Sequence, residues 1–356
     1  MALHNRFALD QPAPFKHEMT SRNVTGLTRR RFLRRLAAFA ALATASRYQE
    51  ANGAEETAAD ALGRTLPRRS LGRTGEKVTM LGLGGFHVGS LDDRNAQAVI
   101  EAAIEGGIRF FDNAQQYQNG GSEAIYGRFL IPKYRDHIFL MTKTLAHDAP
   151  SARRDLEESL RRLRTDHLDL WQMHAVESPD DVDQRQRDGV FQVMEDAKKS
   201  GYVRHIGFSG HRTPTAHQRV LEVTTQFEAC QMPINAADPS YQSFIKHVLP
   251  ALVERGMGVL AMKTLADRGF FGTNRWAVRP TGVSPLIPTR ISVKEAIHFV
   301  WSLPVSTLIT GAETLEQLSE KIGLARSFQM ISPEEREKII QKVADLAGNK
   351  VEYYKA

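Results

Sequence analysis

The chain has 356 residues, 42% of them apolar and 25% charged, which suits a globular protein of one large domain or two medium ones. Its formal net charge of +6 sits at one end: residues 1–45 hold Arg6, Lys16, Arg22, Arg29, Arg30, Arg31, Arg34 and Arg35 against Asp10 and Glu18, so the remainder sums to zero. That leaves no electrostatic case for nucleic-acid binding by the folded part, and a single cysteine, Cys230, excludes an intrachain disulfide.

The first element in chain order is Thr28-Arg29-Arg30-Arg31-Phe32-Leu33-Arg34, followed by a weakly apolar run from Leu36 to Ala45. Residues 1–45 resemble a twin-arginine export signal, with Ala43-Thr44-Ala45 offering small residues for cleavage. The apolar run is too short to cross a bilayer, so no stable membrane insertion is expected. The signal implies the twin-arginine translocation machinery as a partner and a periplasmic destination. The alternative is a basic amphipathic helix or uncleaved tail on a cytoplasmic protein. Residues 46–65, rich in Ala, Glu, Gly and Thr, read as a linker.

From residue 66 the pattern becomes regular. Arg69-Ser70-Leu71-Gly72-Arg73-Thr74-Gly75-Glu76-Lys77-Val78 has the turn residues of a short hairpin. Strand-like apolar runs come next, at 80–84, 108–112, 138–143, 168–174, 204–208, 228–233, 258–263 and 306–310. Amphipathic helical stretches separate them, near 93–106, 121–130, 151–163, 188–200, 214–223, 243–255, 292–302 and 314–324. Alternating strand–helix pairs over this length predict an α/β fold, a (β/α)8 TIM barrel with an N-terminal β-hairpin, spanning 66–347. The connector 266–291 is long enough to read as a functional loop at the active-site end. Ser332-Pro333-Glu334-Glu335 opens a last, C-terminal helix over 333–346, and 348–356 reads as a tail. Cys230 lies in an apolar run and reads as an inert core thiol.

Three successive strands end on proton-handling side chains. Asp112 and Tyr117 follow Phe110-Phe111, Lys143 closes Ile138-Phe139-Leu140-Met141-Thr142, and His174 closes Leu168-Asp169-Leu170-Trp171-Gln172-Met173. The C-terminal ends of parallel barrel strands are where such folds build active sites. Singly, each residue has an ordinary structural explanation: a capping carboxylate, a loop aromatic, a solvated lysine, a histidine under a loop. Jointly they are what carbonyl reduction needs, a proton donor with a cation beside it and a group to orient the substrate oxygen. His174, His205 and His211 lie near strand ends, but no His-x-His pair marks the first strand, so no metal site is expected.

These residues closely resemble the aldo-keto reductase family across nearly all of 66–347. The resemblance is carried by Leu71-Gly72-Arg73-Thr74-Gly75 with Leu81-Gly82-Leu83-Gly84-Gly85, by Phe111-Asp112 through Tyr117 to Gly121-Ser122-Glu123, and by Gly201-Tyr202-Val203-Arg204-His205-Ile206-Gly207-Phe208-Ser209. Gln231-Met232-Pro233-Ile234-Asn235 and Ile309-Thr310-Gly311-Ala312 through Gln317-Leu318 complete it in the right order. It implies an oxidoreductase that interconverts a carbonyl (aldehyde, ketone or sugar) and an alcohol with NADP or NAD. Tyr117 would be the proton donor, Lys143 would favour its phenolate, Asp112 would hold Lys143, and His174 would bond the substrate oxygen. For the cofactor it implies Gly85, Ser209, Gly210, Gln231, Met262, Lys263, Gly311, Ala312, Glu313 and Gln317, with phosphate near the helix start after Gly311. The pattern departs at Gly210, commonly Asn; at Met262, commonly an aromatic; at Glu313, commonly basic; and at Lys321, commonly Asn. An anion at Glu313 would repel a 2′-phosphate, which leaves NADP against NAD open. The departures and the export signal define the competing expectation, an exported cofactor-binding or sensing protein with little or no turnover.

Overall fold

The computed structural model describes residues 58–273 and 284–355. The export-like segment, residues 46–57 of the linker and residues 274–283 of the long connector lie outside the described residues. Residues 59–64, at the end of the stretch read as linker, already form structure. β1 (Ala59–Asp60) and β2 (Gly63–Arg64) pair antiparallel, and Asp60 accepts two hydrogen bonds from the nearly buried Arg109 at 2.8 and 2.9 Å.

β3 (Arg68–Ser70) and β4 (Lys77–Thr79) make the expected hairpin. Its Leu71 and Val78 join Phe110, Phe139, Met141, Leu170, Ala229 and Leu260 in one buried cluster, so the hairpin plugs the N-terminal mouth of the barrel that the later strands form. Gly72 makes the turn possible: its φ is +55°, and a Cβ there would lie 2.4 Å from the Gly256 carbonyl oxygen.

Among the described residues, eight parallel strands close into that barrel: β5 (Leu81–Gly84), β6 (Phe110–Asp112), β7 (Phe139–Thr144), β8 (Leu168–Met173), β9 (Val203–Ser209), β10 (Ala229–Pro233), β11 (Gly258–Met262) and β12 (Thr307–Thr310). β12 returns to β5 through Ile309 opposite Gly82. The two-residue period of a strand sets the chemistry of the lumen. Phe110, Met141, Leu170, Ala229 and Leu260 fill its apolar floor, and two residues later the same strands present Asp112, Lys143, Gln172, Gln231 and Met262.

Outside the barrel run α1 (Asp93–Glu105), α2 (Gly121–Phe129), α3 (Ala149–Leu163), α4 (Pro179–Arg187), α5 (Val190–Lys199), α6 (Pro214–Val223), α7 (Val293–Trp301), α8 (Leu315–Arg326) and α9 (Pro333–Val343). α1 shows why these stretches are helices: Asp92 caps the Asn95 N–H at 2.9 Å, and Ala96, Val99, Ile100, Ala103 and Ile104 fall on one buried face. Burying each of the larger three contributes roughly 1.5–3 kcal/mol. The stretch 243–255 is broken at Val248 into Phe244–His247 and Leu249–Glu254, because Pro250 has no N–H to bond the carbonyl four residues back and sits instead in the first turn of the second helix. α4 is not among the helices that apolar periodicity predicts, because Val182 and Arg185 are its only buried residues. Cys230 is fully buried and burial pushes its thiol well up, as an inert core residue requires. The final residues are no loose tail: Val351, Glu352, Tyr354 and Lys355 are buried.

Candidate active site

Lys143 is the centre of the upper lumen. Its ammonium, 1% exposed, donates to Asp112 Oδ1 and, at 2.6 Å, to the Asn113 carbonyl. Burial works against this ammonium, but the Asp112 carboxylate and Tyr117 outweigh it and hold its pKa above the usual lysine value. Burial pushes the Asp112 carboxyl up, with Lys143 and Gln231 pulling the other way.

The loop after β6 is stitched to β7 so that Tyr117 returns over this pair. Asn113 N–H donates to the Met141 carbonyl at 3.0 Å and Gln115 N–H to the Lys143 carbonyl at 3.1 Å. The chain then takes three consecutive left-handed residues, Gln118, Asn119 and Gly120, with φ of 48°, 53° and 87°. Non-glycine residues hold such geometry only where the surroundings fix it. Here Gln118 Nε2 donates to the Phe86 carbonyl at 3.0 Å, and the buried Glu123 accepts from Thr142 Oγ1 at 2.6 Å and Arg162 Nε at 2.7 Å. The Tyr117 ring centroid lies 5.1 Å from Lys143 Nζ, 5.8 Å from the His174 ring and 5.2 Å from the Phe86 ring. Burial first, then Lys143, His211, Arg185 and Lys263, hold His174 well below the usual histidine value, so its imidazole is neutral at neutral pH. A neutral imidazole and a phenol beside a buried cation can together donate hydrogen bonds to one oxygen.

A cavity of about 1530 Å3 opens from Tyr117 and His174 across the strand ends to Lys321. Of the residues expected at the cofactor, Gln231, Met262, Lys263, Gly311, Glu313 and Gln317 line it with Asp112, Tyr117 and His174. Gly85, Ser209, Gly210 and Ala312 sit behind its surface, as does Lys143. The space of a Gly85 side chain is taken by Ser122, whose Oγ would lie 2.7 Å from a Cβ, and Gly84 forms the wall instead. Ser209 Oγ donates to the Met173 carbonyl at 3.3 Å. At Gly311 a Cβ would fall 2.0 Å from His87 Nδ1.

A nicotinamide dinucleotide fits these groups. Gln231 Oε1 is buried and accepts no hydrogen bond among the described residues, and the NH2 of a carboxamide would satisfy it. The departures have local partners. A Cβ at Gly210 would lie 2.7 Å from the Val176 carbonyl oxygen and 2.8 Å from His217 Cε1, so no amide side chain fits. Glu313 is ion-paired to Arg268, and Lys321 Nζ donates to the Gly311 carbonyl at 2.6 Å, with burial lowering its pKa to about 8. Thr314 Oγ1 caps the Gln317 N–H at 3.3 Å, and Gln317 Oε1 accepts from Glu313 N–H at 3.1 Å. Lys263 pairs with Asp267 at 2.9 Å.

The C-terminal segment completes the wall, which its polar residues gave little sign of. Tyr353 and Tyr354 line the cavity, and Tyr353 Oη donates to Asp267 at 2.6 Å. Lys355, fully buried, lies 2.7 Å from Asp238 and 2.8 Å from Glu352, while His211 meets the Tyr354 carbonyl at 3.0 Å. An adjacent tyrosine pair so near the C-terminus was the available signal. Arg268 and Arg185, also in the wall, had none.

The model of the Aldo/keto reductase family matches residues 80–343. YrpG of Bacillus subtilis (strain 168), described as an uncharacterized oxidoreductase, is 31% identical over 302 residues, 71% of this chain and 89% of that protein. The 6-dehydroglucose reductase of Novosphingobium aromaticivorans is 34% identical over 158 residues, 40% of this chain and 50% of that protein. In fold, the holo form of aldo-keto reductase AKR11C1 from Bacillus halodurans is similar with a TM-score of 0.66, at 23% identity, over 78% of this chain and 96% of that one.

The histidine beneath Gly210 ties this site to stability. His217 is fully buried between Phe208 and Phe244, with ring centroids at 5.3 and 4.9 Å, and burial lowers its pKa from 6.5 to about 4. In the unfolded chain it takes up a proton below its ordinary value, while the folded chain resists until about 4. Stability is therefore complete above that ordinary value and is lost as the pH falls toward 4. The loss from this group alone is roughly 3 kcal/mol. Urea unfolding across that window should show a loss smaller by about this amount in His217→Gln. An identical pH slope in both proteins would remove His217 from the account.

Proposed function

Because the chain belongs to the aldo/keto reductase family of NAD(P)-dependent oxidoreductases, we propose that it reduces a small aldehyde, ketone or sugar carbonyl to the alcohol, with Tyr117 as the proton donor. The observation that carries this reading is the Lys143 ammonium, buried between the Asp112 carboxylate and the Tyr117 ring. The bound nicotinamide supplies or accepts the hydride at the carbonyl carbon. Tyr117 gives its phenolic proton to the oxygen as charge develops there, and the Lys143 ammonium stabilises the phenolate left behind. Asp112 keeps that ammonium in place. The neutral His174 donates to the same oxygen and fixes its direction. In the reverse direction the phenolate takes the alcohol proton.

A bound cofactor would have its carboxamide held by Gln231 and Ser209, its ring packed by the polarizable sulfur of Met262, and its pyrophosphate faced by Lys263. The rim of polar groups at Gln118, Asn119, His147 and Arg212 suits a hydroxylated substrate, and the 6-dehydroglucose reductase similarity supports a sugar-like carbonyl. Arg29 and Arg30 direct the folded, cofactor-loaded chain through the twin-arginine route to the periplasm, a compartment that does not supply free nicotinamide. Loading before export resolves that conflict.

Three measurements test these statements. Tyr117→Phe is expected to lower kcat by about 10²–10⁴ with cofactor affinity nearly unchanged; turnover equal to the parent would take Tyr117 out of the mechanism. Glu313→Arg should raise NADPH affinity relative to NADH by roughly tenfold, because it exchanges an anion beside Arg268 for a second cation. A fluorescence titration with both cofactors reads this, and an unchanged ratio would place Glu313 away from the 2′-phosphate. Replacing Arg29 and Arg30 together by lysine should leave the protein in the cytoplasmic fraction of a host with a twin-arginine pathway, and equal periplasmic recovery would rule the signal out.

A further inference from the structure

His174 lacks the support a working histidine usually has. A ring that must present one nitrogen to substrate is commonly oriented by a hydrogen bond at the other. Here Nδ1 is buried and has no hydrogen-bond partner among the described residues. The ring direction is therefore set by the backbone, and the backbone is held unusually firmly. On one side His174 N–H donates to the Thr144 carbonyl at 2.8 Å. On the other, Ala175 turns the chain in left-handed geometry, φ +53°, a conformation that costs a non-glycine residue roughly 1–2 kcal/mol.

The His174 carbonyl at that turn is taken by Arg185. Its Nη1 donates to the carbonyl oxygen at 2.9 Å and its Nε to Asp181 Oδ1 at 2.8 Å, and the side chain is 1% exposed. Asp181 is built into the same turn: its Oδ2 accepts from Glu177 N–H at 3.0 Å and its Oδ1 lies 3.2 Å from His147 Nδ1. A buried guanidinium is costly to desolvate, and an apolar side chain would fill the volume more cheaply. What the guanidinium alone provides is a rigid fork reaching from α4 to the His174 carbonyl.

We propose that Arg185, held by Asp181, is a positioning residue that acts through His174, fixing the imidazole where it meets the substrate oxygen. The inference rests on the role given to His174 under the proposed function. A second effect has the same sign. Lys143 from β7, His211 from the loop after β9, Lys263 after β11 and Arg185 from α4 all face His174, with the Tyr117 ring at 5.8 Å. The three cations among them, Lys143, Lys263 and Arg185, disfavour the imidazolium and so keep the ring in the neutral form that donates and still leaves a free nitrogen.

The test compares the parent with Arg185→Met, Asp181→Asn, His174→Gln and the Arg185→Met/His174→Gln double variant. Each is assayed for reduction of 4-nitrobenzaldehyde and for cofactor binding by fluorescence. Arg185→Met should lower kcat about 10- to 100-fold, with KM for the aldehyde changed less than about threefold and cofactor Kd less than about twofold. In the His174→Gln background the same substitution should cost less than about twofold, because the group it acts through is gone. An equal loss in both backgrounds would show a general structural effect and overturn the proposal. So would full turnover by Arg185→Met beside a crippled His174→Gln, which leaves the His174 role standing. If His174→Gln itself turns over like the parent, that role fails and the inference falls with it. Should Arg185→Met not fold, Asp181→Asn keeps the guanidinium and loosens its hold, and should lose about three- to tenfold in kcat. An unchanged kcat there overturns the proposal equally.

Discussion

The structure is organised around one ion pair placed where charge is expensive. Asp112 and Lys143 face each other in the lumen above Phe110 and Met141, both almost wholly buried. Removing either partner from such a pair costs about 3–5 kcal/mol, because the survivor is left buried and uncompensated. Neither apolar packing nor strand propensity asks for these residues. The rest of the upper barrel is arranged to keep the pair dry and to bring the Tyr117 ring to it. The left-handed run Gln118–Gly120, the buried Glu123 with Thr142 and Arg162, and the stitching of the loop onto β7 all serve that placement.

A second cluster of buried charge does the same work across the cavity. Lys355 with Asp238 and Glu352, Asn235 with Tyr354, and Tyr353 with Asp267 pin the last residues across the loops after β10 and β11. Polar anchoring suits a wall that must be positioned yet sits at the rim, where an apolar surface would have no matching floor. Each carboxylate and amide has a directional partner, so the segment can dock in one register only.

Period and punctuation made the barrel legible in the amino-acid sequence. The barrel strands are nearly continuous apolar runs, the outer helices carry apolar residues at helical spacing, and Asp112, Lys143 and His174 stand at strand ends because an alternating strand delivers them there. α4 was less legible because it packs through a buried arginine rather than an apolar stripe. Its signal was nonetheless present: Ser178-Pro179-Asp180-Asp181 is the same helix-start pattern as Ser332-Pro333-Glu334-Glu335. Contacts such as Arg268 with Glu313 and Lys355 with Asp238 join residues far apart in the chain, and no local pattern encodes them. Structure begins earlier than the linker-like composition suggests for a similar reason, since Asp60 is ordered by Arg109, a residue well downstream.

The departures from the family pattern bear on whether the site works. A site losing its function under no constraint would be expected to show substitutions that leave voids or unpaired charges. Here three of the four departures have a fitted neighbour. Gly210 is matched by the His217 ring and the Val176 carbonyl pressing into the space a side chain would need. Glu313 is matched by Arg268, and the Lys321 ammonium, lowered by burial, is satisfied by the Gly311 carbonyl. Changes that arrive with their partners cost little stability, and they lie in or just behind the cavity wall while Asp112, Tyr117, Lys143 and His174 stay intact. That distribution argues for a reductase whose hold on its cofactor has been altered, rather than for a barrel kept only to bind.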